Sequence, residues 1–194
     1  FTRTIESIHR CDIVIHLIDA VTGLTENDKK ICDEILKARK PAIMAVNKWD
    51  LVKKNDKTFN EFRDKLIFKF YKAEDFPIIS ISAMAKQRIS RLLDTAIMLK
   101  EKAERRIDTP TLNRVLATIK NKASIPQLGE KIRVYYAVQT GTLPPQFKFF
   151  VNNAEYFRKD VVRYFEKALQ KAFDLEGLPV IIHIEGKKRD KNRK

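Results

Sequence analysis

Between positions 10 and 107, short and nearly unbroken apolar runs alternate with stretches in which apolar residues recur every three or four positions. The runs Asp12–Ile18, Pro41–Val46 and Phe76–Ile81, rich in Val, Ile, Ala and Leu, predict strands covered by helices on both faces. The intervening stretches predict helices. Thr25 caps one that runs to about Ala38, with Ile31, Ile35 and Leu36 on one face. A second, from about Thr58 to Phe70, carries Phe59, Phe62, Leu66 and Phe70 at the same spacing, and a third, from about Ile89 to Arg106, turns Leu92, Leu93, Ala96 and Leu99 inward. Strands alternating with helices in this way imply a parallel sheet with crossover helices. Asp108–Pro110 then breaks the third helix, because proline disfavours the helical conformation in the residue before it, and the domain boundary is placed there.

Past that break the order changes to helix (about Leu112–Lys122), strand (Lys131–Gln139), strand (Phe147–Asn152), helix (Glu155–Phe173) and strand (Leu178–Ile184). The turn Thr140-Gly141-Thr142-Leu143-Pro144-Pro145 offers glycine for unusual dihedrals and prolines that cannot donate to a ladder. Three parts follow: residues 1–107, a separate α+β unit over 108–186, and a tail over 187–194.

Composition narrows the class. With 44% apolar and 33% charged residues the chain has material for a core. It contains no apolar run near the roughly 20 residues that span a bilayer and no signal-like start, which predicts a cytoplasmic protein. Cys11 and Cys32 read as buried apolar thiols, and with His9, His16 and His183 they fall short of a four-ligand site, so no structural metal is expected. The net charge of +14 favours a polyanionic partner. Without a basic amphipathic helix bearing an aromatic face, nucleic acid is expected and a membrane is not. Residues 108–194 carry 17 basic and 9 acidic side chains and are the more basic part per residue.

The chemistry concentrates at two strand ends. Asn47-Lys48-Trp49-Asp50 follows the run Ala42–Val46, at the carboxyl end of a strand, where open α/β sheets bind ligands. Guanine displays N1–H and a 2-amino group, and one carboxylate accepts from both, which assigns that role to Asp50. Adenine would leave a buried Asp50 unpaired, a mismatch worth on the order of 10⁴ in selectivity. Asn47 can turn its amide to the N7 edge and tie neighbouring loops, and the stem of Lys48 can lie over the ring. Ser82-Ala83-Met84 closes the next strand, where the Ala83 N–H could donate to guanine O6. Alone, an N-K-x-D tetrapeptide is equally a polar turn with Asp50 as a helix cap; the Ser-Ala one helix later makes the guanine assignment specific.

Residues 10–107 resemble the later half of a translation-factor-type P-loop GTPase. More narrowly, Arg3-Thr4 with Ile8 and Arg10-Cys11-Asp12, Ile18-Asp19-Ala20 and Asn47-Lys48-Trp49-Asp50 resemble the second G domain of the bacterial tandem-GTPase family Der. Leu112-Asn113-Arg114, Gln139 with Gly141, Pro144-Pro145 with Phe147, Phe150-Val151-Asn152, and Phe173 with Gly177 and Pro179 resemble that family's terminal KH-like domain. The resemblance implies an α/β partial P-loop GTPase fold (Rossmann-like, three layers, parallel strands) followed by a small α+β KH-like domain. It also implies GTP or GDP with Mg²⁺ as cofactors of the complete protein, and a role in large ribosomal subunit assembly with that subunit or its rRNA as partner.

No GxxxxGK[ST] occurs in the chain, and the DxxG expected upstream is not in it. Alone it is therefore expected to bind no cofactor and to hydrolyse no GTP, since phosphoryl transfer depends on those groups. Phe1 in place of Met and a start inside a helical pattern predict a piece of a longer protein, with self-association through the unpaired Asp12–Ile18 edge. Of Tyr135, Tyr136, Phe147, Phe149 and Phe150, most are expected in the core, although together they offer a base-stacking face. No GxxG clamp is present. The tail Lys187, Lys188, Arg189, Lys191, Arg193 and Lys194 reads equally as a disordered end or as a phosphate-binding arm for RNA. The alternative to a GTP-binding protein is an RNA-binding adaptor without nucleotide chemistry.

Overall fold

The computed structural model describes residues 2–53, 55, 58–122 and 132–186. Contacts divide the chain into two units, one built from residues up to Ala103 with Gly177–Pro179, the other from Glu104–Glu176 and the chain from Val180 on.

In the first unit the elements run α1 (Thr2–Arg10), β1 (Val14–Asp19), α2 (Glu26–Lys37), β2 (Ala42–Asn47), α3 (Thr58–Lys69), β3 (Ile78–Ser80) and α4 (Ile89–Glu104). The three strands form one parallel sheet in the order β1-β2-β3, with Asp19 level with Asn47 and Val46 level with Ser80. β2 is buried on both faces, as its unbroken apolar run requires. Ala42, Met44 and Val46 join Ile18, Cys32, Ile35, Leu66 and Trp49 in one core cluster, and Ile43 and Ala45, which alternation sends to the other face, are equally buried. That second face is not covered over β1, where Ile15 is 38% and Leu17 55% exposed.

Thr25 caps α2 as its sequence implies. Its Oγ1 accepts from the Asp28 N–H at 3.2 Å, and Asp28 Oδ2 accepts in return from the Thr25 N–H at 2.8 Å. In α4 the buried set is Leu92, Leu99 and Ala103; Leu93 is exposed and Ala96 half-buried, a correction to the expected inward face. Leu93 follows Leu92 directly and therefore lies about 100° round the helix from it. Cys32 is buried and desolvation pushes its thiol up to about 12, whereas Cys11 is half-buried and donates to the Ile8 carbonyl.

Asp28 also faces His16, whose Nε2 lies 3.2 Å from Asp28 Oδ1 without the geometry of a good hydrogen bond. Burial depresses the imidazole's pKa, and the Asp28 carboxylate only partly opposes this. The unfolded chain then binds the proton more readily than the folded one, so His16 contributes stability that is full above the ordinary imidazole value of about 6.5. This contribution is lost as pH falls through that value towards the folded one. Urea unfolding at pH 7.5 and 5.5 is expected to show a loss in the wild type that His16→Leu reduces, by at most about 1.4 kcal/mol per pH unit. Equal losses in both proteins would assign the effect to other groups.

The second unit contains α5 (Thr109–Lys122), β4 (Val134–Gly141), β5 (Gln146–Val151), α6 (Lys159–Ala172) and β6 (Ile181–Gly186). The order is β4-β5-β6, with β4 antiparallel and β6 parallel to β5. α5 starts three residues before the expected Leu112, because the break at Asp108–Pro110 is also a start: Asp108 Oδ1 accepts from the Thr111 N–H at 2.9 Å. Pro110 sits in the first turn, where its missing N–H costs nothing. The helix expected from Glu155 begins only at Lys159. Asn153 caps a separate 3-10 turn, Ala154–Tyr156, and Phe157 leaves the helical region before α6 starts. Asn113 closes the free edge of β4: its Oδ1 accepts from the Ala137 N–H at 2.8 Å and its Nδ2 donates to the Ala137 carbonyl at 2.9 Å.

Phe147 and Phe149 are fully buried, Phe149 standing edge-on to Phe165 of α6 at 5.5 Å. The other three aromatics of these strands are not in the core. Phe150 faces outward by alternation, and Tyr135 and Tyr136 are exposed, so the core expectation holds for two of the five residues.

Candidate guanine-base site

β2 delivers Asn47 at its carboxyl end, and the chain then turns sharply, because Lys48 adopts a left-handed conformation with φ at 60° and ψ at 32°. A lysine there is uncommon and strained by roughly 1–2 kcal/mol. A short 3-10 turn, Trp49–Leu51, follows, closed by the Leu51 N–H donating to the Lys48 carbonyl at 3.1 Å. It points its first two side chains in opposite directions. Trp49 is buried edge-on against Phe59 and Phe62 of α3, with ring centres 5.7 and 5.6 Å away, and Asp50 is exposed. Among the described residues Asp50 has no hydrogen bond or ion pair, so its carboxylate is available to a ligand; it is not buried until something covers it.

Two bonds tie this turn to the end of β3. The Trp49 N–H donates to the Ile81 carbonyl at 3.0 Å, and Asn47 Oδ1 accepts from the Ala83 N–H at 3.0 Å. The second bond fixes the amide of Asn47, leaving Nδ2 as the donor it presents elsewhere. It also engages the very N–H that the sequence assigns to guanine O6.

The segment beyond β3 is a loop closed by paired backbone bonds between Ser82 and Gln87, at 3.2 and 2.9 Å, with Lys86 and Arg88 in left-handed conformations. Ser82 is wholly buried and its Oγ accepts from the Ala85 N–H at 3.0 Å, so it braces the loop from within. Ala83 and Met84 lie exposed on the loop's surface.

Asp19 completes the arrangement; the Ile18-Asp19-Ala20 motif carries the family resemblance, but the sequence assigns Asp19 no role in the base site. Its register beside Asn47 brings Oδ2 to 2.6 Å from Lys48 Nζ, and its Oδ1 accepts from the Val21 N–H at 2.8 Å. The Lys48 hydrogen bond, and then that from Val21, hold its carboxyl below the ordinary carboxylate range. A charged residue ending one apolar strand, level with Asn47 ending the next, was the signal available in the sequence. The basic tail from Lys187 to Lys194 lies outside the described residues.

Residues 1–102 match the family model described as the elongation factor Tu GTP binding domain. The chain belongs to this family of GTP-binding domains. Residues 106–185 match the C-terminal KH-domain-like region of EngA bacterial GTPase enzymes. GTPase Der of Chloroflexus aggregans is 35% identical over 193 residues, covering 98% of this chain and 43% of that protein. GTPase Der of Heliobacterium modesticaldum is 36% identical over 195 residues, with the same coverage. The chain thus spans about two fifths of the length of these relatives, and the likeness to Der-type tandem GTPases is carried by both units of the chain. A crystal structure of Era in complex with MgGDPNP and nucleotides 1506–1542 of 16S ribosomal RNA aligns over 93% of this chain and 66% of its own, at 18% identity and a TM-score of 0.43.

Proposed function

We propose that this chain supplies guanine-base recognition and an RNA-contacting unit to a cytoplasmic GTP-binding protein that acts in ribosome biogenesis, in assembly of the large subunit. The observation that carries the proposal is the clamp between two strand ends, Asn47 Oδ1 on the Ala83 N–H, which holds the turn that presents Asp50 outward. In this reading Asp50 accepts from guanine N1–H and the 2-amino group, Asn47 Nδ2 donates to N7, and the Lys48 stem, anchored by Asp19, lies along the ring. Guanine O6 then shares the Ala83 N–H with Asn47 in a three-centre bond, with Met84 on the rim and Ser82 bracing the loop. The donors and acceptors fit a guanine base. The phosphates and Mg²⁺ of GTP or GDP fall to sequence outside this chain, since it has no phosphate loop. That same lack favours the second reading, an RNA-binding adaptor without nucleotide chemistry. Titration of guanine and xanthine nucleotides against the wild type and Asp50→Asn, each in the full-length protein, separates the two, because an adaptor binds neither.

The division into a G-domain part, 1–107, and a KH-like part, 108–186, is supported by family matches that end at 102 and resume at 106. The basic balance of residues 108–194 supports an rRNA partner on the large subunit, with Lys187, Lys188, Arg189, Lys191, Arg193 and Lys194 as a phosphate-binding arm. Deleting that arm is expected to weaken binding to unrelated RNAs alike and to flatten the fall of log affinity with log salt. If affinity and slope both survive the deletion, the arm has no such role.

This chain self-associates through β1, which among the described residues pairs only with β2 and exposes Ile15 and Leu17 beside its free edge. Light scattering over a concentration series is expected to show a rising mass, and a constant monomer mass would rule this out.

A further inference from the structure

β4 contains an irregularity that alternation alone would not produce. Val134 pairs with Val151 and Tyr136 with Phe150, so two steps on β4 match one step on β5, and Tyr135 is the extra residue of a bulge. Val134 lies opposite the buried Val151, and Tyr135, one residue on, turns outward. Tyr136 also turns outward, because its partner Phe150 does, and Ala137 opposite Phe149 is again fully buried. Two consecutive tyrosines therefore share the outer face of the sheet, 58% and 47% exposed.

Tyr136 lies parallel to Phe150 at 4.3 Å between ring centres and 11° between planes, a cross-strand pair that by itself stabilises the hairpin. Tyr135 adds nothing to that pairing. It has no ring contact or hydrogen bond among the described residues, yet the bulge holds its ring in water. Lys148, next to Phe150 in the outward set, stands 6.0 Å over that ring and 3.5 Å from Glu185. A base needs an aromatic plane and its phosphate a cation, and this face holds both, on a part of the chain (108–186) with 11 basic against 8 acidic residues.

We infer that the outer sheet face, with Tyr135, Tyr136, Phe150 and Lys148, is a stacking platform for unpaired bases of single-stranded RNA. The inference rests on the proposed RNA-contacting role and locates it on the sheet. Double-stranded RNA keeps its base planes inside the helix and offers these rings nothing. One base stacks on Tyr135 and the next on the outer side of the Tyr136–Phe150 pair, while Lys148 moves from Glu185 to a phosphate.

Fluorescence anisotropy of the whole chain with a labelled single-stranded oligoribonucleotide and a duplex of equal length, each at several salt concentrations, tests it. Tyr135→Thr leaves the stacked pair untouched and suits an extended strand, so it is expected to fold. It should weaken single-strand binding about 5- to 100-fold, leaving duplex binding and the salt slope unchanged. Tyr135→Phe should bind within about two-fold of wild type. Tyr136→Thr is expected to add a further loss, and circular dichroism establishes that each variant is folded. Tyr135→Thr binding single strands as tightly as the wild type, while tail deletion abolishes RNA binding, would overturn the platform and leave the RNA reading standing. A wild type that binds no RNA at all would overturn both, and an equal loss on single strand and duplex would assign Tyr135 a structural role only.

Discussion

Asp50→Asn is expected to lower GTP and GDP affinity about 30- to 1,000-fold and to raise affinity for xanthine nucleotides, when this chain is joined to sequence that supplies a phosphate loop. The carboxylate stands exposed on a turn whose geometry is fixed from three directions: Lys48 held by Asp19, Trp49 packed into α3, and the backbone bonded to Ile81. Substitution by the isosteric amide therefore changes the hydrogen-bonding pattern and little else. Aspartate offers two acceptors to two donors of guanine; asparagine offers one acceptor and one donor, so a charge-assisted bond is lost and one donor of the base is left facing another. Xanthine has a carbonyl in place of the 2-amino group, and the amide then matches N1–H and O2 together. Calorimetric titration of both proteins with both nucleotides decides. Retention of full GDP affinity by the variant would reduce Asp50 to a turn residue and remove the central argument for guanine.

The parallel half of the fold was legible because its signals are local and redundant. Strand runs of Val, Ile and Ala, the Thr25 cap and the Asn47–Asp50 motif each point to the same architecture, and the structure places the three strands within two residues of the expected ends. Boundaries failed where one residue serves two elements. Asp108 ends one helix and caps the next, and Asn153 starts a 3-10 turn that periodicity had merged with α6. Registry was the other blind spot. Asp19 looks like an ordinary strand end until β1 is laid beside β2 and its carboxylate meets Lys48. Ser82, next to Ala83 in the motif, proved to point into its loop, and the bulge at Tyr135 turned outward a pair of rings that strict alternation would have split between the two faces.

Trp49→Ala is expected to destabilise the first unit by about 3–5 kcal/mol and to weaken guanine binding at the same time. Trp49 is the position that the N-K-x-D pattern leaves open, yet it is only 3% exposed and its ring is gripped edge-on by Phe59 and Phe62, two partly buried residues of α3. Truncation to Ala removes the indole from a cluster that includes Met44, Val46 and Leu66, and β2 and α3 cannot both close over the gap without dragging the turn between them. Lys48 sits one residue before Trp49 in a strained conformation, and Asp50 one residue after it on the opposite side. Their placement depends on the indole as a wedge, so lost packing appears as lost pre-organisation of the base site. Trp49→Phe keeps an aromatic edge for both phenylalanines and should cost about half as much. Urea unfolding followed by circular dichroism measures the stability, since the only tryptophan is the residue replaced, and nucleotide titration of the full-length protein at a temperature where every variant is folded measures the site. Destabilisation with undiminished guanine affinity would mean that the turn is held by its backbone bonds to β3 alone, and the indole would then be core and nothing more.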